Sequence, residues 1–165
     1  MKELLEHLIE ALREELKEYG EMLALLDQQQ QMVTHRQSQD LLQSAASVNA
    51  QVEAIAAARG EREQRQRHIA LQMELAENAP FATMIPHFPS QYRPLIEALV
   101  QENNELLVRV QQRARQNHLL LNRAVELMQR FIGSLFPGTP PATYNEMGRM
   151  PVAALPQRSM YDAIG

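Results

Sequence analysis

Residues 5–26 read LEHLIEALREELKEYGEMLALL, and this stretch decides the fold. Leu5, Ile9, Leu12, Leu16, Tyr19, Leu23 and Leu26 step by four and three residues in turn. That is a 3.5-residue repeat, the period of a helix that lays an apolar seam against another helix. Glu3, Glu6, Glu10, Glu14, Glu15, Glu18 and Glu21 fall mostly outside the seam and read as a solvated face. The repeat fades in the run Gln28 to Gln31. A break is expected near Thr34 to Gln37, with Ser38 as N-cap of a second helix and Asp40 in its first turn.

The second helix carries Leu41, Ala45, Val48, Val52, Ile55, Ile69 and Met73 at seam spacing, interrupted by Arg59, Arg62 and Gln66. Either the seam is open to water there, or the first two helices are one long helix that leaves its partner. Proline sets the remaining boundaries, because it removes a donor and clashes with the preceding turn. The first 79 residues contain none; Pro80, Pro86, Pro89 and Pro94 then fall close together. A proline-free run from Leu95 to Phe136 follows, and Pro137, Pro140, Pro141, Pro151 and Pro156 crowd the end. Pro94 fits only in a first turn, where its missing N–H has no partner to lose. The third seam reads Ile96, Leu99, Asn103, Leu106, Val110, Arg113, Asn117, Leu120, Ala124, Leu127 and Phe131, with Gly133 and Pro137 as terminators.

The expected architecture is all-α: an elongated antiparallel three-helix bundle, or coiled coil, over residues 1–136. Its helices span about 2–34, 38–77 and 90–135, the last two roughly 60 Å long each. The connector 78–89 and the residues just after it hold Phe81, Met84, Ile85, Phe88 and Tyr92, too apolar for a free linker. It is expected to pack across the bundle end. Residues 137–165 form an irregular Pro-rich tail that cannot bury enough to fold alone and reads as a flexible partner-binding segment.

Composition narrows the function. The chain of 165 residues has no Cys and no Trp, and aromatics are only 5%, which argues against an all-β fold. Without Cys there is no disulfide scaffold, Cys-ligated zinc, iron–sulfur cluster or thiol catalysis. The acidic, amphipathic start is unlike a secretory signal, and no apolar run is long enough to insert directly in a membrane. The net charge of −4 argues against a dedicated nucleic-acid binder. His7, His35, His68, His87 and His118 are scattered, with no i, i+4 pair for a helical metal site. No phosphate loop or nucleophile elbow is present, so neither enzymatic activity nor a cofactor or metal is expected.

Arg59, Arg62, Arg65 and Arg67 cluster on the second helix, and Arg109, Arg113, Arg115, Arg123 and Arg130 dot the third. The first 27 residues carry eight acids against three bases. An acidic helix packed beside two basic ones, fixing register and orientation, is the simplest account. Asn103, Arg113 and Asn117 in the third seam read as register-setting polar residues, or as a stretch kept polar for a partner. Leu119, Leu120 and Leu121 cannot all be buried by one seam, which leaves apolar surface for a third helix or another chain.

Together these pieces resemble the FlgN family of flagellar export chaperones. The resemblance rests on Gln116-Asn117-His118-Leu119-Leu120-Leu121-Asn122, followed by Leu127, Gln129 and Gly133. It also rests on Thr143-Tyr144-Asn145-Glu146-Met147-Gly148, similar to the family's Tyr-Gly-x-x-Gly tail motif, with Asn145 in place of the usual small residue and Gly148 matching. The resemblance implies a cytoplasmic chaperone of the flagellar type III export system. Its cargoes would be the hook–filament junction proteins FlgK and FlgL, held through their C-terminal helical segments and delivered to the export gate. It also implies that Tyr144, with Asn145 and Gly148, contacts the gate protein FlhA, and that Leu120, Leu121, Leu127 and Phe131 contact cargo. A structural coiled-coil adaptor or scaffold, and a chaperone of another flagellar export substrate, are the alternative functions.

Overall fold

The computed structural model describes residues 1–35 and 38–135. These are all-α, in the order α1 (Lys2–Thr34), α2 (Ser38–Gln72), the short α3 (Phe81–Met84), a 3₁₀ turn (Ile85–His87) and α4 (Arg93–Leu135). They fall into two units that divide between Leu120 and Leu121, inside α4.

In the first unit, α1 and α2 are separate helices lying side by side in opposite directions. Gln51 reaches Glu18, and Arg62, further along α2, reaches the earlier Glu15. α1 and α4 run parallel, since Asn103 donates to the Leu12 carbonyl and Asn117 to the later Leu26. α1 ends where His35 and Thr34 turn back on it: the His35 N–H and Nδ1 both meet the Gln31 carbonyl, and the Thr34 hydroxyl donates to Gln30. Those contacts occupy carbonyls that a helix end otherwise leaves without a partner.

Most of the fully buried side chains gather at one end of this unit. Leu5, Leu8, Ile9 and Leu12 of α1 meet Ile69 and Ala70 of α2, Ala79, Met84, Ile85 and Phe88 of the connector, and Ile96 and Leu99 of α4. Pro80 is extended (φ −70°, ψ 156°), and its carbonyl accepts from Thr83 and Met84 to start α3. Pro86 holds the 3₁₀ turn that follows. Phe88, 1% exposed, is thereby driven into the core. The Arg93 Nε closes the connector onto the Phe88 carbonyl at 2.7 Å, and Gln66 of α2 donates to the Ala79 carbonyl at 2.8 Å. The connector therefore packs against all three long helices.

Two helix ends differ from the sequence reading. α2 stops at Gln72 rather than near 77. Glu74 adopts φ 57°, the Leu75 N–H bonds back to Ala70, and the Glu74 N–H bonds to Leu71. That is a Schellman-type stop, with Leu75 packed on the core next to Ala70. α4 begins at Arg93 rather than near 90, so Pro94 is its second residue, within the first turn. Ser38 is the first helical residue of α2, and the cap position before it lies outside the described residues.

A third difference concerns α1. Glu15 and Glu18, placed by the sequence reading on a solvated face, are buried. α1 serves two neighbours. Its Leu12 and Leu26 positions face α4, and the adjoining Glu15 and Glu18 positions face α2. Two flanking helices bury a wider arc than a single seam does.

Candidate functional site

The sequence reading places functional groups in three regions: the polar interior of the first unit, the late part of α4, and the tail. The Glu15 carboxylate accepts from the Tyr19 hydroxyl at 3.0 Å and from Arg62 Nε at 2.9 Å. Arg62 also donates to Gln66. Burial, and then the Glu15 charge, push the Tyr19 phenol well above its usual range. The Glu15 carboxylate is thus held between a phenol on its own helix and a guanidinium on the next, so the cluster fastens α1 to α2. Arg113 similarly joins Asp27 at 2.7 Å, tying α4 to α1.

Cross-helix pairing of acidic α1 with basic neighbours thus exists at Glu15–Arg62 and Asp27–Arg113. The α2 arginines also pair with glutamates on or just beyond α2: Arg59–Glu63, Arg62–Glu63, Arg65–Glu61 and Arg67–Glu77. Arg59 holds the Glu63 carboxyl below its ordinary range by a direct hydrogen bond. An open depression of about 360 Å³ is lined by Asp27, Gln30, Gln31, Thr34, His35 and Arg113. Its Thr34 hydroxyl and His35 Nδ1 are engaged with the Gln30 and Gln31 carbonyls rather than with each other. Among the described residues no group of three His, Cys, Asp or Glu side chains could hold a metal. No described helix is long and apolar enough to cross a membrane.

The late part of α4 is different. Up to Asn117 its seam is covered: Ile96, Leu99, Asn103, Val110 and Asn117 are all buried. Leu120, at the end of the first unit, and Leu121, at the start of the second, are half-buried, and Leu119 is exposed. In the second unit Val125, Leu127, Met128, Phe131 and Ile132 are each more than half exposed. At about 100° per residue, Leu127, Phe131, Ala124, Met128, Leu121, Ile132 and Val125 follow one another around a single arc of about 160°. Arg123, Arg130, Glu126, Gln129 and Asn122 fill the rest. This is a segregated amphipathic face whose apolar side is open. Lone exposed apolar residues are ordinary, but a contiguous stripe of large ones marks an interaction surface.

Leu127 and Phe131 of the sequence-predicted cargo residues lie on this stripe with Leu121. Val125, Met128 and Ile132, which the sequence reading did not single out, share the stripe and stand at i+4, i+7 and i+11 from Leu121. Tyr144, Asn145 and Gly148, expected to contact the gate, lie outside the described residues.

No curated protein and no solved structure matches the chain. A family model described as FlgN protein matches residues 1–151. A match over that much of the sequence settles kinship: the chain belongs to the FlgN family.

Proposed function

We infer that the chain is a flagellar export chaperone whose cargo surface is the open apolar stripe of α4. The carrying observation is the run Val125, Leu127, Met128, Phe131 and Ile132, all exposed along one helical face. Family membership supplies the class of partner, proteins exported for flagellum assembly. In this reading the cargoes are FlgK and FlgL, recognised through amphipathic C-terminal helices that would self-associate if left bare. Met128 and the flexible-sized Leu side chains suit a surface that must fit more than one such helix. In the first unit, the antiparallel pair α1 and α2, with the early part of α4 along α1, acts as the body of the chaperone. Residues 137–165 form the tail, and Tyr144, Asn145 and Gly148 contact FlhA in the cytoplasm. A tethered second contact of that kind works at high effective concentration and needs no nucleotide.

Calorimetric titration with the C-terminal segments of FlgK and FlgL from the same genome tests this. The expected result is one-to-one binding at about micromolar Kd or tighter with a negative heat-capacity change, lost in L127E/F131E. Absence of binding to both, with binding to a filament cap protein, selects the chaperone of another export substrate. A stable homo-oligomer that ignores every cargo selects the scaffold.

A further inference from the structure

The open stripe has two unlike borders. Along the Leu127 edge stand Arg123 and Arg130, one heptad apart, roughly 10 Å along the axis. Along the Val125 and Ile132 edge stand Asn122 and Gln129, again one heptad apart. The single acid of this stretch, Glu126, lies between the borders, on the side away from the stripe. Neither Arg123 nor Arg130 has an acidic partner among the described residues. The contrast is with α2, where Arg59, Arg62, Arg65 and Arg67 are each paired with glutamates.

An amphipathic helix that lies on an anionic membrane is rich in Lys and Arg over its polar face, whereas here the polar face holds two arginines on one border, one glutamate and two amides. A basic border on one side only, faced by uncharged amides on the other, matches a partner that is itself one-sided. The repeat of seven on both borders is the spacing of a helix packed in a coiled-coil manner. Resting on the cargo-surface reading above, we propose that the stripe takes an amphipathic helix bearing acidic residues at heptad spacing along one flank, with Arg123 and Arg130 as the residues that select it and set its direction. The stripe supplies the buried area. The two arginines decide which helices are accepted and which way they point, because a helix laid the other way meets the amide border with its acids.

The test uses the full chain and two fluorescent amphipathic peptides of about 20 residues with the same leucine stripe. One carries glutamates at heptad spacing on one flank, the other lysines. In fluorescence anisotropy at low salt, the glutamate peptide should bind at least about ten-fold tighter than the lysine peptide. The gap should close at high salt, and R123E/R130E should reverse the preference. L127E/F131E should lose both peptides. Equal binding of the two peptides, or a preference unchanged in R123E/R130E, overturns the proposal; if L127E/F131E still loses both, the apolar surface itself stands. Binding that survives L127E/F131E overturns both readings. Binding to phosphatidylglycerol vesicles with neither peptide bound overturns the proposal in favour of a membrane surface.

Discussion

Asn117 repeats, two heptads further along α4, the hydrogen bond that Asn103 makes to α1. Asn103 Nδ2 donates to the Leu12 carbonyl at 3.0 Å, and Asn117 Nδ2 to the Leu26 carbonyl at 2.7 Å. The offset between partners is 91 residues in both cases, so the two helices keep one register over this span. Both Oδ1 atoms are buried without a protein partner. Each asparagine therefore fixes register at a cost in stability, as a polar residue in a coiled-coil seam does.

From this it follows that replacing both asparagines with leucine should stabilise the fold and loosen its specificity. The Leu12 and Leu26 carbonyls keep their bonds within α1, so N103L strands no buried partner, whereas N117L also takes a donor from the buried Gln29 Oε1. N103L should add about 1 kcal/mol in urea unfolding and N117L less, because it leaves Gln29 Oε1 without its donor; the double variant should form mixed oligomers in light scattering. A less stable double variant that remains a single species would contradict this account of the pair.

The Glu15–Arg62 pair should behave in the opposite way. Both side chains are largely removed from water, at 5% and 15% exposure. Arg62→Met leaves a buried carboxylate with only the Tyr19 hydroxyl for company, and should cost about 3 kcal/mol. E15L/R62M should cost clearly less than the two single changes added, because neither charge is then abandoned. Additive losses in a double-mutant cycle would mean that the pair is not coupled.

Burial of Tyr19 predicts a stability that weakens in alkali. Its phenol is raised by desolvation and then by the Glu15 charge, with Arg59 and Arg62 opposing. Below the unfolded value, about 10, the protonated phenol is present in both states and its contribution is whole. Above that the unfolded chain ionises first, holds fewer protons than the folded one, and gains ground as pH rises. Unfolding free energy should fall above about pH 10. Tyr19→Phe should lower stability near neutrality by about 1 kcal/mol and flatten that fall, measured by urea titration at several pH values.

How far the sequence foretold this molecule depended on whether one side chain row had one neighbour or two. The α1 seam was legible because Leu5, Leu12, Tyr19 and Leu26 recur without interruption. Burial of Glu15 and Glu18 was not, since a single-seam reading has no place for a second flanking helix, and carboxylates are rarely buried. The α2 stop was hidden because Met73 and Leu75 prolong an apolar pattern and no Gly or Pro lies between Gly60 and Pro80. At the candidate site, Leu127 and Phe131 were legible as positions of the α4 seam, but their assignment to cargo came from the family resemblance alone. Val125, Met128 and Ile132 belong to a neighbouring row, which matters only because the structure leaves the whole face open.

Two backbone positions are mismatched to their residues. Gly60 lies inside α2 with nothing within 4 Å of an added Cβ, so alanine there meets no obstacle and removes the entropy penalty of a helical glycine. Glu74 stands in the left-handed region, where glycine carries no Cβ strain. Gly60→Ala and Glu74→Gly should each raise stability by about 1 kcal/mol, and their effects should add, because the sites share no partner. Thermal unfolding of the single and double variants decides it; a loss in Glu74→Gly would mean that the side chain matters more than the turn.

The open stripe separates folding from recognition, and the two can be tested on the same face type. Leu127 and Phe131 are 65% and 62% exposed, whereas Leu12 is 2% exposed in the core. Truncating a buried leucine removes its contacts and leaves a cavity, so Leu12→Ala should cost about 3 kcal/mol. Leu127→Glu and Phe131→Glu touch surface already in water, and should shift stability by no more than about 0.5 kcal/mol with helicity unchanged in circular dichroism. If those two substitutions lowered stability as Leu12→Ala does, the stripe would be part of the folded core of this chain, and cargo would have to bind elsewhere.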